Sequence, residues 1–119
     1  MGNSLLKIED LNRKELYWGT KLVGSLPEGI CLEHLSSIQF LKKEGIMSEE
    51  DLRLLGIFDD DTKFLLSNSQ MKQFLKLYIE DLKNFPNGYN HEGFETDKRI
   101  KRLLNGRKKG YYISWTVFH

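Results

Sequence analysis

One cysteine, Cys31, and two prolines, Pro27 and Pro86, are all that 119 residues contain of those two types. A lone thiol excludes an internal disulfide framework and fits a reducing compartment. Two isolated prolines mark loops within a domain and leave no Pro-rich linker between domains. No apolar run approaches the roughly 20 residues that span a bilayer. Met1 to Lys7 lacks both a basic start and a sustained apolar stretch, so secretion is not expected and a cytoplasmic location is. Gly2 is followed by Leu6 where a myristoylation signal needs Ser or Thr, which removes that anchor. The sequence also lacks an internal repeat, a low-complexity tract, a Gly-rich phosphate loop, a G-x-S-x-G elbow and an H-E-x-x-H pair. With them go the enzyme classes most easily read from sequence, and no cofactor is expected.

Acids are missing from one end. Residues 98–119 hold no Asp or Glu but seven cations, Lys98, Arg99, Lys101, Arg102, Arg107, Lys108 and Lys109. Residues 1–97 hold 11 Lys and Arg against 17 Asp and Glu, so a net charge of +1 hides a division of −6 and +7. Such asymmetry bears on partners and association rate, not on fold.

What is present suffices for a core. Hydrophobic residues make up 39%, aromatic residues 12% and charged residues 29%, the composition of a folding domain, and the length fits one domain over 1–119. Leu16, Tyr17, Trp18, Thr20, Leu22 and Val23 are β-formers ended by Pro27 and predict a strand near 16–24. Leu32, Leu35, Ile38 and Leu41 at helical spacing, with Gly45 at the stop, predict a helix over 32–43. Ser48, followed by Glu49, Glu50 and Asp51 in a first turn where the macrodipole favours anions, predicts a second helix over 48–55. Ile57-Phe58 and Lys63-Phe64-Leu65-Leu66 around Asp59-Asp60-Asp61 read as a hairpin with strands near 57–58 and 63–66. Ser67 with Gln70 forms a capping pattern, and Met71, Phe74, Leu75, Tyr78, Leu82 and Phe85 give the widest apolar stripe of the chain, a helix over 69–84. Residues 87–95 read as loop, and Thr96 as the cap of a basic helix over 97–104 ended by Asn105-Gly106. Residues 111–118 are β-branched and aromatic throughout, a terminal strand with Tyr111, Ile113, Trp115 and Val117 on one face. The expected class is α+β, a small mixed or antiparallel sheet packed with three to four helices.

These residues bear on four chemistries. Cys31 and His34 have ligand-like spacing, but structural zinc needs four ligands and no second pair follows, so a small buried Cys and no metal are expected. The same pair lacks an orienting third group for covalent catalysis, and His91-Glu92 reads as solvated loop. Asp61-Thr62-Lys63 resembles the acid-x-Lys half of metal-dependent nuclease sites, which also need an acid on a neighbouring strand, and Glu50 and Asp51 fall on a helix. The basic run 98–109 suits phosphates, with Tyr111, Tyr112 and Trp115 beyond it as stacking surfaces. A pI of about 7.8 is low for a nucleic-acid domain.

In size, mixed α/β character and divided charge, the chain is similar to the bacterial immunity proteins that neutralise polymorphic or contact-dependent toxins. The resemblance implies a non-catalytic protein that blocks a toxin's active site by charge complementarity, with steering raising the on-rate and a few desolvated anchors setting affinity. A nuclease toxin would have a basic site, and on charge the acidic residues Glu49, Glu50, Asp51, Asp59, Asp60 and Asp61 are the expected contact. A nucleic-acid accessory protein using the basic run is the second reading, and a small nuclease using Asp61 and Lys63 the third.

Overall fold

The computed structural model describes residues 3–21, 35–54, 62–84 and 91–118. They form β1 (Asn3–Asp10), β2 (Glu15–Lys21), α1 (Ser36–Lys43), α2 (Glu49–Leu54), β3 (Phe64–Ser67), α3 (Asn68–Asn84), α4 (His91–Thr96), α5 (Lys98–Leu104) and β4 (Gly110–Phe118). The strands make one antiparallel sheet in the order β2-β1-β4-β3. The α+β class expected from the sequence is the class observed. No described helix is long and apolar enough to cross a membrane.

Register explains the core. Tyr17, Ile8, Ile113 and Phe64 lie opposite one another across all four strands and are all buried, as are the neighbouring partners Tyr111 and Leu66. Because side chains alternate along a strand, this row places the buried apolar residues of every strand on one face. Helix α3 lies against that face with Met71, Phe74, Leu75, Tyr78, Ile79 and Leu82 buried, and α1, α4 and α5 pack on α3 in turn. An aromatic chain runs through the core, Phe74 to Tyr78 at 5.5 Å, Tyr78 to Phe94 of α4 at 5.4 Å and Phe94 edge-on to Tyr17 at 5.5 Å.

The helix ends follow the sequence signals closely. Ser67 Oγ accepts the Gln70 N–H at 3.2 Å while the Ser67 N–H donates to Gln70 Oε1 at 2.9 Å, a reciprocal cap on α3. Ser48 and Asp51 do the same for α2, at 3.1 and 2.8 Å. Gly45, at φ +73°, closes α1: its N–H reaches the Lys42 carbonyl and that of Ile46 the Leu41 carbonyl, the paired bonds of a Schellman motif. The start of α1 is capped from a distance. Asp81, buried on α3, accepts the Ser36 N–H at 3.0 Å, the Ser37 N–H at 3.0 Å and the Ser37 hydroxyl. Burial pushes the Asp81 carboxyl above its ordinary pKa against the pull of those hydrogen bonds.

Four expectations need correction. Strand β1 was not expected, since Lys7, Glu9 and Asp10 interrupt its apolar pattern, yet it is the inner strand that joins β2 to β4. Residues 91–95, read as loop, belong to α4, whose Phe94 fills the space between Tyr17 and Tyr78. The cap of α5 is Asp97 rather than Thr96, because the Asp97 carboxylate accepts the Arg99 N–H at 2.8 Å. Helix α1 begins at Ser36, where Asp81 satisfies its first amides. The strand expected at 57–58, and residues 22–24 and 32–34 of other expected elements, lie outside the described residues.

Candidate functional site

Two regions remote in sequence, the β1–β2 turn and the stretch that runs from α5 to β4, bring cations to one groove of about 470 Å³. The β1–β2 turn brings Lys14, α5 brings Arg99 and Arg102, and the α5–β4 connection brings Arg107 and Lys108; Glu15 is the single acid in the lining. Leu16, Leu103, Gly106 and Tyr111 complete it.

Each segment is held in place by a definite interaction. Asp10 Oδ1 accepts the N–H groups of Asn12 at 2.8 Å and Lys14 at 2.9 Å, which shapes the turn, and Arg13 within it takes φ +65°. Asp10 Oδ2 lies 3.9 Å from Lys108 Nζ, so the same carboxylate faces the second cation-bearing loop. Arg99 is pinned on both sides: Asp97 accepts from its Nε at 3.1 Å and its Nη2 at 2.7 Å, and its guanidinium lies 4.6 Å from the centre of the Tyr17 ring. The Arg99 hydrogen bonds hold the Asp97 carboxyl below its ordinary range, and the same pair raises Arg99. Gly106 sits where an added Cβ would come within 2.8 Å of the Tyr111 hydroxyl and 3.0 Å of the Arg102 carbonyl oxygen, so the chain turns tightly over the end of α5 before Arg107.

A bulge supplies the apolar element. Ile8 pairs with Tyr17 but Glu9 pairs with Glu15, which leaves Leu16 as an extra residue on β2. Strict alternation would put Leu16 and Tyr17 on opposite faces. The bulge re-aims Leu16, which packs against the helix-side core next to the buried Tyr17 and lines the groove beside Leu103.

The charges in the groove differ in how far they are neutralised. Arg99 is paired with Asp97 and Lys108 stands at the limit of an ion pair with Asp10, whereas Lys14, Arg102 and Arg107, all exposed, make no ion pair with described residues. Cations in the last turn of a helix are favoured by its macrodipole, which accounts for Lys101 and Arg102. It does not account for Lys14, Arg107 and Lys108, which belong to other segments.

Of the seven basic residues singled out in the sequence, Arg99, Arg102, Arg107 and Lys108 meet in the groove. Lys98 and Lys101 are exposed on α5 outside its lining, and Lys109 lines a separate recess of about 340 Å³ with Leu11 and the 56% exposed Leu65. Sequence reasoning missed Lys14 and Leu16, which lie more than eighty residues from α5 and carry no local signal. Of the acidic candidates, Asp51 is occupied in the α2 cap, Glu49 is paired with Lys42 and Glu50 is exposed; Asp59, Asp60 and Asp61 lie outside the described residues. Lys63 is paired with Glu9 of β1. Among the described residues no three acids, histidines or cysteines are grouped to hold a metal ion. Tyr111 is buried against Gly106, and Tyr112 pairs with Glu9 and Leu65, a position off the core face, so neither stands as an exposed stacking surface in the groove. Comparison with protein-family models, curated proteins and solved structures finds no match for this chain.

Proposed function

We propose that the protein is a non-catalytic binding module of the inhibitor or immunity kind, which docks an acidic partner protein through the cationic groove. The observation that carries this reading is the convergence of Lys14, Arg102 and Arg107, unneutralised by described residues, on one concave surface. Like charges brought together from two regions repel one another, and an anionic partner relieves that cost on binding. The acidic residues 49–51 suit the role less, since Asp51 and Glu49 already serve local structure. We therefore take the basic side as the contact; Asp59, Asp60 and Asp61 of the acidic alternative lie outside the described residues. A field of this sign raises the association rate, and because the groups are exposed the gain falls with ionic strength. Nucleic acid is the competing polyanion, but among the described residues the groove offers bases no exposed aromatic ring to stack on.

Reversing two charges tests the reading. The double variant Arg102→Glu, Arg107→Glu is expected to fold, at a cost of about 1 kcal/mol that comes mainly from setting an anion in the last turn of α5. It should lose measurable affinity for a fluorescent acidic peptide that wild type binds in a salt-dependent way. Unchanged affinity in the variant, or tighter wild-type binding to a single-stranded oligonucleotide of equal charge, would refute the acidic-protein reading.

A further inference from the structure

The groove is not uniformly polar, and this bears on what occupies it. Its cations stand on the β1–β2 turn, on α5 and on the loop after α5, with Leu16, Leu103 and Tyr111 lining the space between them. Leu16 is there because of the bulge in β2 and is only half-buried, so it offers apolar area to an occupant that the deeply buried Leu103 and Tyr111 do not. The long stems of Arg102, Arg107 and Lys14 add aliphatic walls below their charged heads. Helix α5 lines the groove with Arg99 from its first turn and Arg102 and Leu103 from its last, so the cations stand apart around the rim and suit separate carboxylates better than one concentrated dianion.

Resting on the function proposed above, we infer that the groove recognises a short acidic peptide segment with one large apolar side chain set between carboxylates. The apolar side chain seats on Leu16, and the flanking carboxylates reach Arg102 and Arg107 on one side and Lys14 on the other. Arg99, fixed by Asp97 and stacked on Tyr17, forms part of the wall and needs no rearrangement to receive the segment. The anchor supplies affinity that salt does not screen, while the carboxylates supply orientation and approach rate.

The test uses the full chain and two labelled peptides of identical length and net charge, each with four glutamates in a Gly and Ser background, one with a central Phe and the other with Gly at that position. Fluorescence anisotropy is followed at two salt concentrations. The Phe peptide should bind wild type about tenfold more tightly, the worth of a partly buried aromatic side chain, with the ratio unchanged at higher salt. In Leu16→Ser the ratio should fall below about twofold, while Arg102→Glu, Arg107→Glu should abolish binding of both peptides. Equal wild-type affinity for the two peptides overturns the anchor while leaving charge-driven docking in place. Absence of binding by either peptide overturns the proposed function itself. Because the comparison of peptides is made on wild type, misfolding of Leu16→Ser does not spare the inference.

Discussion

Asp81 is the residue whose removal should cost most for its size. Its carboxylate accepts hydrogen bonds from the Ser36 and Ser37 amides and the Ser37 hydroxyl, tying the start of α1 to the middle of α3. In Asp81→Ala the buried Ser37 N–H is left without a partner, at about 1–3 kcal/mol, while Ser36 is exposed and its N–H is recovered by water, so that its share is the ~1 kcal/mol of an ordinary lost cap. The sum, about 2–4 kcal/mol, is a large fraction of the ~5–15 kcal/mol that holds a domain of this size. Asp81→Asn keeps the volume and one acceptor but turns an amide donor toward a second donor, and should cost about half as much. Urea unfolding followed by circular dichroism measures both, and the slope with denaturant should stay unchanged. The pH dependence carries a distinctive sign. Burial raises the folded-state pKa of Asp81 above the unfolded value near 3.8, so the folded protein binds that proton more tightly. The contribution of protonated Asp81 is fully present below the unfolded pKa and is lost as pH rises through the folded one. Wild type should therefore gain stability relative to Asp81→Asn as pH falls through that window. An Asp81→Ala variant within about 0.5 kcal/mol of wild type would refute the clamp, and a wild-type advantage that shrinks on acidification would refute the assigned direction.

Asp97 should behave in the opposite sense: Arg99 holds its pKa below 3.8, so its contribution is present above the unfolded value and disappears as pH falls through the folded one, and the advantage of wild type over Asp97→Asn, less than about 1 kcal/mol for an exposed pair, should close on acidification. Gly106→Ala, which sets a methyl against the Tyr111 hydroxyl and the Arg102 carbonyl, should cost about 1–3 kcal/mol in thermal or urea unfolding and weaken acidic-peptide binding by displacing Arg107. Ser67→Ala removes one half of the α3 cap and should cost about 1 kcal/mol, with faster amide exchange confined to the first turn of α3.

Local chemistry explains why some elements were legible. The stripe from Met71 to Leu82, the Ser67–Gln70 cap, the Ser48–Asp51 turn and the glycine after α1 each act over a few residues, and a signal of that range survives into the fold. Strand β1 was illegible because Glu9 and Asp10 are buried and Lys7 half-buried for reasons that involve other segments: Glu9 meets Lys63, and Asp10 faces its own turn and Lys108. Helix α4 was hidden by its shortness and by the glycine beside Phe94, whose burial depends on Tyr17 and Tyr78.

The same division runs through the candidate site. By itself the sequence determined that the cations would crowd the C-terminal stretch, that α5 would carry several of them on a solvated face and that the chain would be α+β, because composition and helical period are properties of neighbours along the chain. Only the tertiary structure decided that Lys14 joins them, that a bulge turns Leu16 toward them and that Lys109 leaves for another recess. The physical reason is that a groove is a relation between segments: strand register and the packing of α5 on β2 set it, and both follow from burying one apolar face of a sheet under helices drawn from the whole chain.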